Sequence, residues 1–413
     1  MKLNLICRKK IVLAVILSIL TLGCSNTETG KKENLQSNAA PLIIEPKEEI
    51  IVKLKYENRP PSTIPFIKKY DGKLADKAYY GIIMAEKANL REKPEAKSSL
   101  VKELKFYERV ELLEEVEFKG QNWYKVMDSD GKIGYLFSPY ITKRVFQFEK
   151  GLNRVQDVEN FVRDAKEKGE ELALVEAYTP DAENKLLSKK RDKYGKYKIQ
   201  SASANYDGET LYIPDRSISK IVNDGATKKK VKIESMSEPY VEIAPQDIVK
   251  AERLKLKSIN KAIVVDIENQ NLILFEKIGG EWTIVSYGYS KTGYESTLGF
   301  ETPRGSFVMD IAKDKMLYTG GDGKVQGFAN NAMRFSGGGY LHGTPIGLEE
   351  ASQLDYYTKF REGYLGTFSG TRKCVRTTKE HARFVYSWVL NKNPNGELPS
   401  YEVIKDNVLF IVY

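Results

Sequence analysis

Two histidines, His342 and His381, and three cysteines, Cys7, Cys24 and Cys374, hold most of the chain's capacity for covalent or metal chemistry. With so few soft ligands, and no CxxC or HExxH spacing, a metal centre built on imidazoles is all but excluded and no cofactor is expected. Gly320-Gly321-Asp322-Gly323-Lys324 has neither the spacing nor the hydroxyl of a phosphate-binding loop and reads as a turn. What remains is nucleophilic catalysis by a thiol with a histidine as its base. His342 lies between Gly337-Gly338-Gly339-Tyr340-Leu341 and Gly343-Thr344-Pro345, so it is expected at a strand end that another group can approach closely. Cys374 lies in Thr371-Arg372-Lys373-Cys374-Val375-Arg376, where three cations and the start of a following helix should favour the thiolate. His381 falls on that helix, four residues before Val385, and is expected to pack inward.

The elements that must position these groups come from a chain of 413 residues, 41% apolar and 11% aromatic, enough for two or three folded domains. From Ser25 to about Lys55 the composition is that of a solvated tether, continued by an irregular arm through Pro60, Pro61 and Pro65, with order expected from near Tyr79. Residues 79–145 alternate in short strands separated by turns, among them Asp128-Ser129-Asp130-Gly131, which opens like a calcium loop but lacks its terminal glutamate and reads as a hairpin turn. Residues 146–255 begin with a helical stripe, Val155, Val158, Val162 and Ala165, expected as a spacer, and go on to short strands that suggest a second small β module. Residues 260–413 open on a hairpin, Ala262 to Ile267 and Leu272 to Phe275, and close on a helix after Thr377, where Thr377 and Glu380 form an expected capping box.

The first residues carry their own signal. A basic stretch ending at Lys10, an uncharged run from Ile11 to Leu22 and then Gly23-Cys24 resemble a bacterial lipobox; the run is too short to span a bilayer. The resemblance implies a signal peptide over 1–23, diacylation of Cys24, and an exported protein anchored in the cell envelope by lipid. Cys7 is then discarded and Cys374 has no disulfide partner. The net charge of +9 falls to +5 once Lys2, Arg8, Lys9 and Lys10 are set aside, mildly basic and scattered, which suits an anionic polymer or surface more than a nucleic acid.

Two further resemblances rest on motifs. Ala88-Asn89-Leu90-Arg91-Glu92-Lys93-Pro94, Gln121-Asn122-Trp123-Tyr124-Lys125-Val126 and Gly131-Lys132-Ile133-Gly134-Tyr135-Leu136 resemble the bacterial SH3 family, which implies a small barrel that binds cell-wall peptides. The strands that follow in the second module suggest a degenerate barrel of the same kind. Thr302-Pro303-Arg304-Gly305-Ser306-Phe307, then Tyr340-Leu341-His342-Gly343-Thr344, then Thr371 to Arg376 occur in the order seen in the L,D-transpeptidase (YkuD-like) family. That resemblance implies a mostly β catalytic domain acting on peptidoglycan stem peptides, with Cys374 as nucleophile and His342 as general base, Gly343 leaving room beside the base, and Arg376 matching the polar residue two after the cysteine. The family usually has Ser-His-Gly-Cys where this chain has Thr371-Arg372-Lys373-Cys374. Backbone N–H groups, Arg372 or Lys373 would then have to stabilise the transition state. The long interval from His342 to Cys374, with Leu354-Asp355-Tyr356-Tyr357 and Phe360, suggests an inserted lid. Together these imply a mainly β chain with some α: an SH3-like barrel, a second small β module and a YkuD-like domain with a C-terminal helix. The implied reaction is 3→3 crosslinking of tetrapeptide stems through a thioester; a water or protein-lysine acceptor, or a wall-binding lipoprotein with a dead site, are the alternatives. A peptidase of the NlpC type needs cysteine before histidine, and here His342 comes first.

Overall fold

Alternation within two strands explains the architecture of the C-terminal part. In Ile259–Asp266, Ile263 and Val265 face one core while Ala262 and Val264 face another; in Asn407–Val412, Phe410 and Val412 oppose Leu409 and Ile411 in the same way. Strands covered on both faces read as near-continuous apolar runs, here Ala262 to Val265 and Val408 to Val412, and these two run parallel at the centre of a five-stranded sheet. Glu281–Tyr289 and Asn271–Ile278 lie to one side and Gly305–Val308 to the other. One face packs against a second sheet, in the order Val375–Arg376, Gly339–His342, Val325–Ser336, Ile311–Thr319 and Tyr401–Val403.

The computed structural model describes residues 49–413 apart from 76, 180–188 and 321. Cys24, the expected leader and most of the expected tether lie outside the described residues. Among the described residues the α-helices are α1 (Phe148–Glu167), α2 (Glu252–Leu256), α3 (Leu354–Glu362) and α4 (Lys379–Leu390). None is long and apolar enough to cross a membrane. The cap of α4 is Thr378, whose Oγ1 accepts from the His381 backbone N–H at 3.1 Å, and not Thr377 as the capping-box spacing predicts. Thr377 is still extended and spends its hydroxyl on the Tyr289 carbonyl at 3.2 Å.

Residues 79–145 form seven strands: Tyr79–Ile83, Lys87–Arg91, Leu100–Lys105, Arg109–Phe118, Gln121–Met127, Ile133–Phe137 and Ile141–Val145. Taken in chain order they lie third, second, sixth, fifth, fourth, first, seventh, with a short 3-10 turn, Ser138–Tyr140, before the last. The second module repeats this order with Glu171–Val175, Ser201–Tyr206, Glu209–Pro214, Ile218–Asn223, Lys229–Ile233, Val241–Ile243 and Ile248–Lys250, and it too has a Pro-led 3-10 turn, Pro245–Asp247, before the last strand. It is therefore a second barrel of the first one's topology, with its own core of Leu211, Ile213, Val231 and Val241.

Order begins earlier than Tyr79. Ile51–Lys55 pairs with Arg109–Phe118 through the backbone while its side chains stay exposed, so no apolar alternation marks it. The arm then runs along the sheet edge, where Ile284 N–H donates to Pro65 O at 2.8 Å and Ile67 N–H to Ile284 O at 3.0 Å. The helix expected as a spacer is instead central. Val155, Val158, Val162 and Ala165 of α1 share one core with Tyr80, Ile82 and Phe146 of the first barrel, Leu172 and Ile218 of the second, and Phe275 and Leu409 of the five-stranded sheet. The stripe is visible in the sequence, but the three partners that cover it are far apart along the chain.

Candidate active site

Register and alternation bring the predicted residues together. Gly339–His342 and Val375–Arg376 pair in parallel, Leu341 with Val375 and His342 with Arg376. Leu341 and Val375 are fully buried in the sandwich core, so Tyr340, His342, Cys374 and Arg376 belong to the opposite face. One more residue of register sets Tyr340 opposite Cys374. His342 then stands a diagonal away from the thiol, about 8 Å between Cα positions at a strand spacing of about 4.8 Å. Cys374 is part-exposed, and its Sγ lies 3.9 Å from the Gly338 carbonyl.

His342 is buried, with Nδ1 2.6 Å from the Gly343 carbonyl. A carbonyl can only accept, so Nδ1 carries the proton and Nε2 is the basic nitrogen. Burial, and then the Arg376 cation, push this imidazole down to about 4, so it is neutral at physiological pH and able to take a proton. A Cβ on Gly343 would come 3.3 Å from Lys379 Cα and 3.4 Å from Ala382 Cβ, so its lack of a side chain lets the start of α4 pack close beside the histidine.

The turn before the thiol is tied by hydroxyls. Thr371 Oγ1 donates to the Cys374 carbonyl, and Thr302 Oγ1 donates to Lys373 O at 2.8 Å while accepting from Gly293 N–H at 2.7 Å. Thr371 and the first residue of the Thr302-Pro303-Arg304-Gly305 motif thus hold the backbone on both sides. The cations expected around the sulfur diverge. Arg372 is exposed and donates to Thr319 O at 2.9 Å, at the tip of the hairpin Ile311–Thr319 / Val325–Ser336. Lys373 is buried and donates to Gly337 O at 2.5 Å. Arg376 shares the face of His342 and Cys374; burial, then Arg361, lower its guanidinium to about 10. In the chain, the strand Val375–Arg376 and the Thr378 cap lie between Cys374 and the first helical residue, Lys379.

Lys291 was not legible in the sequence. It exchanges both backbone hydrogen bonds with Arg376, at 2.9 Å each, and its buried ammonium lies 3.4 Å from the Phe368 ring centroid. Burial, then Arg376, pull it down to about 8. Nothing in Ser290-Lys291-Thr292 signals this position. His381 packs inward as expected, Nε2 2.8 Å from Ser286 Oγ and Nδ1 3.2 Å from Thr377 Oγ1.

The insertion between His342 and Cys374 forms α3 and a preceding 3-10 segment, Leu348–Gln353. Arg361 fastens it with a forked pair to Glu350 at 2.6 and 2.5 Å and a bond to Pro345 O at 2.8 Å. Two cavities flank the 371–374 turn. One, of about 290 Å³, lies behind Lys373 among Arg191, Tyr197, Phe300 and Pro303; the other, of about 350 Å³, opens over Thr371 and Arg372 beside Tyr294 and Leu298.

Residues 86–142 match the family model of the bacterial SH3 domain, and residues 260–398 match that of the L,D-transpeptidase catalytic domain, YkuD. No curated protein matches the chain. Similar solved structures include an L,D-transpeptidase from Mycobacterium smegmatis, 12% identical, covering 52% of this chain and 99% of that one with a TM-score of 0.26. Mycobacterium tuberculosis L,D-transpeptidase 1 is 12% identical over 51% and 82%, TM-score 0.24, and an L,D-transpeptidase from Xylanimonas cellulosilytica is 17% identical over 42% and 71%, TM-score 0.23. At these scores the superpositions carry no argument about the site.

Proposed function

From a chain that carries a bacterial SH3 domain at residues 86–142 and a YkuD L,D-transpeptidase catalytic domain at residues 260–398, we propose a cell-envelope enzyme that crosslinks peptidoglycan stems through a thioester on Cys374. The observation that supports this reading is the parallel pairing of His342 with Arg376 directly after Cys374, with the imidazole held neutral. The Cys374 sulfur attacks the carbonyl joining the third stem residue to its terminal D-Ala. His342 Nε2 takes the thiol proton and passes it to the departing amine, and free D-Ala leaves. The side-chain amine of another stem's diamino acid then attacks the thioester, forming a 3→3 amide; its proton returns through His342 to the sulfur. Backbone N–H groups of the 372–374 turn are the candidates for holding the oxyanion. Residue 24 completes the proposal as a lipid anchor, tested by whether Cys24→Ala leaves the membrane fraction.

Incubating the soluble chain with purified tetrapeptide muropeptides and weighing the products tests the reaction. The expected products are crosslinked dimers with loss of one D-Ala per bond. Loss of D-Ala without dimers would assign water as the acceptor, and unchanged muropeptides would sink the catalytic reading.

A further inference from the structure

The residue before the thiol has a backbone that its side chain disfavours. Lys373 has φ of 116°, a region open to glycine and strained for any residue with a Cβ. Such a conformation persists only where its surroundings over-determine it, and three contacts do so here. Thr302 Oγ1 donates to its carbonyl at 2.8 Å. Gly293 lies so close that a Cβ there would stand 2.7 Å from both Lys373 N and Cα. The Lys373 side chain, 7% exposed, reaches Gly337 O at 2.5 Å, in a slot whose far wall is the second barrel.

On that wall Asp215 is 2% exposed. Its Oδ1 accepts from Ala177 N–H at 2.9 Å and its backbone carbonyl accepts from Ser336 Oγ at 2.9 Å, while its Oδ2 is buried without a hydrogen bond. A Cβ on Gly337 would come 2.7 Å from Gln200 Oε1 and 3.2 Å from Asp215 Cβ, so barrel and turn are in contact at the carbonyl that Lys373 grips. Burial, only partly offset by Asp215 and then Cys374, leaves the Lys373 ammonium at about 8, and burial likewise raises the Asp215 carboxyl above its ordinary value. The next carbonyl, Gly338 O, is the one beside the Cys374 sulfur.

We propose that the second barrel is a working part of the active site: Asp215, acting through Lys373, holds the strained turn that aims the Cys374 thiol. Both are positioning residues, and without the barrel the site is incomplete. The turnover readout rests on the thiol chemistry proposed above, whereas alkylation of Cys374 does not.

The test uses the full-length protein with Asp215→Asn, which keeps shape and an acceptor for Ala177; Lys373→Met, which keeps length and drops charge; Lys373→Arg; and the Asn/Met double variant. Three quantities are read at a temperature where melting curves show every variant folded: the iodoacetamide rate at Cys374, mapped by peptide mass, and kcat and KM on a soluble tetrapeptide. Each single neutral variant is expected to lower kcat about tenfold with KM within about twofold, and to change the alkylation rate severalfold. The double variant should match Lys373→Met alone, and Lys373→Arg should restore most of kcat. Wild-type kcat and alkylation in Asp215→Asn, or single effects that multiply in the double variant, would overturn the inference. If the wild type turns over no tetrapeptide while the alkylation coupling between positions 215 and 373 holds, the enzymatic reading fails and the positioning role stands.

Discussion

A neutral, buried imidazole makes two demands that can be measured. Because burial and Arg376 hold His342 near 4, its basic form persists down to that pH, and the acid limb of kcat/KM should have its midpoint near 4 rather than near 6.5. Replacing Arg376 with Met removes the repelling cation, so the midpoint should move up toward the ordinary value; a limb that stays in place would show that Arg376 does not act on the base. Cys374→Ala and His342→Gln should each reduce turnover by at least about a thousandfold, and the double variant should be scarcely worse, because nucleophile and base act as a unit. Cys374→Ala is expected to melt with the wild type, since the thiol is part-exposed and fills no core. That the segments carrying His342, Cys374 and Arg376 lie side by side was legible from the order of the family motifs. Lys291 and Asp215 were not, because each reaches the catalytic turn from a segment whose own sequence carries no chemical signature.

Elements show the same division. The strand Ile259–Asp266 and α4 could be read from apolar runs and periodicity, whereas Ile51–Lys55, with every side chain exposed, is held by backbone pairing and by Lys53 ion pairing to Glu117 and left no apolar pattern to find. The start of α4 was displaced by one residue because Thr377 and Thr378 are both competent caps, and only the tertiary bond from Thr377 to Tyr289 O decides between them. Thr378→Ala should therefore cost about 1 kcal/mol in denaturant titrations, and Thr377→Ala should not act through the helix end. His381 on this helix is pushed by burial from the usual 6.5 to about 4. Between those values the unfolded chain binds a proton that the folded chain refuses, so stability falls as pH drops from about 6.5 to about 4 and is unaffected by this group above that window. Titrations of wild type and His381→Gln at pH 4.5 and 7 check this: the variant's loss should be smaller, and equal losses would remove His381 from the acid response.

At the scale of the molecule, the SH3 barrel is not a wall-binding unit on a string. A barrel on a flexible linker would raise local substrate concentration by avidity alone. Here the barrel shares its core with the C-terminal domain: Tyr80 and Phe146 pack with α1, Tyr287 and Tyr289, and Val145 N–H donates to Asn269 Oδ1 at 2.9 Å while Asn271 Nδ2 donates to Val145 O at 2.9 Å. The same barrel reaches the approach to the catalytic turn, with Arg144 donating to Thr367 O at 2.9 Å and Arg109 bonded to Leu365 O and stacked 3.8 Å above Tyr289. Cores joined in this way should unfold together. Phe146→Ala removes a ring that touches Tyr80, Phe148, Tyr287 and Tyr289, and by the usual cost of a buried aromatic it should destabilise the chain by about 3–5 kcal/mol. In a calorimetric scan that loss should appear as a downward shift of one transition, with turnover and barrel signals lost at the same temperature. A barrel transition that moves alone, leaving a catalytic transition in place, would show that the modules are only neighbours, and avidity would again suffice to explain the barrel.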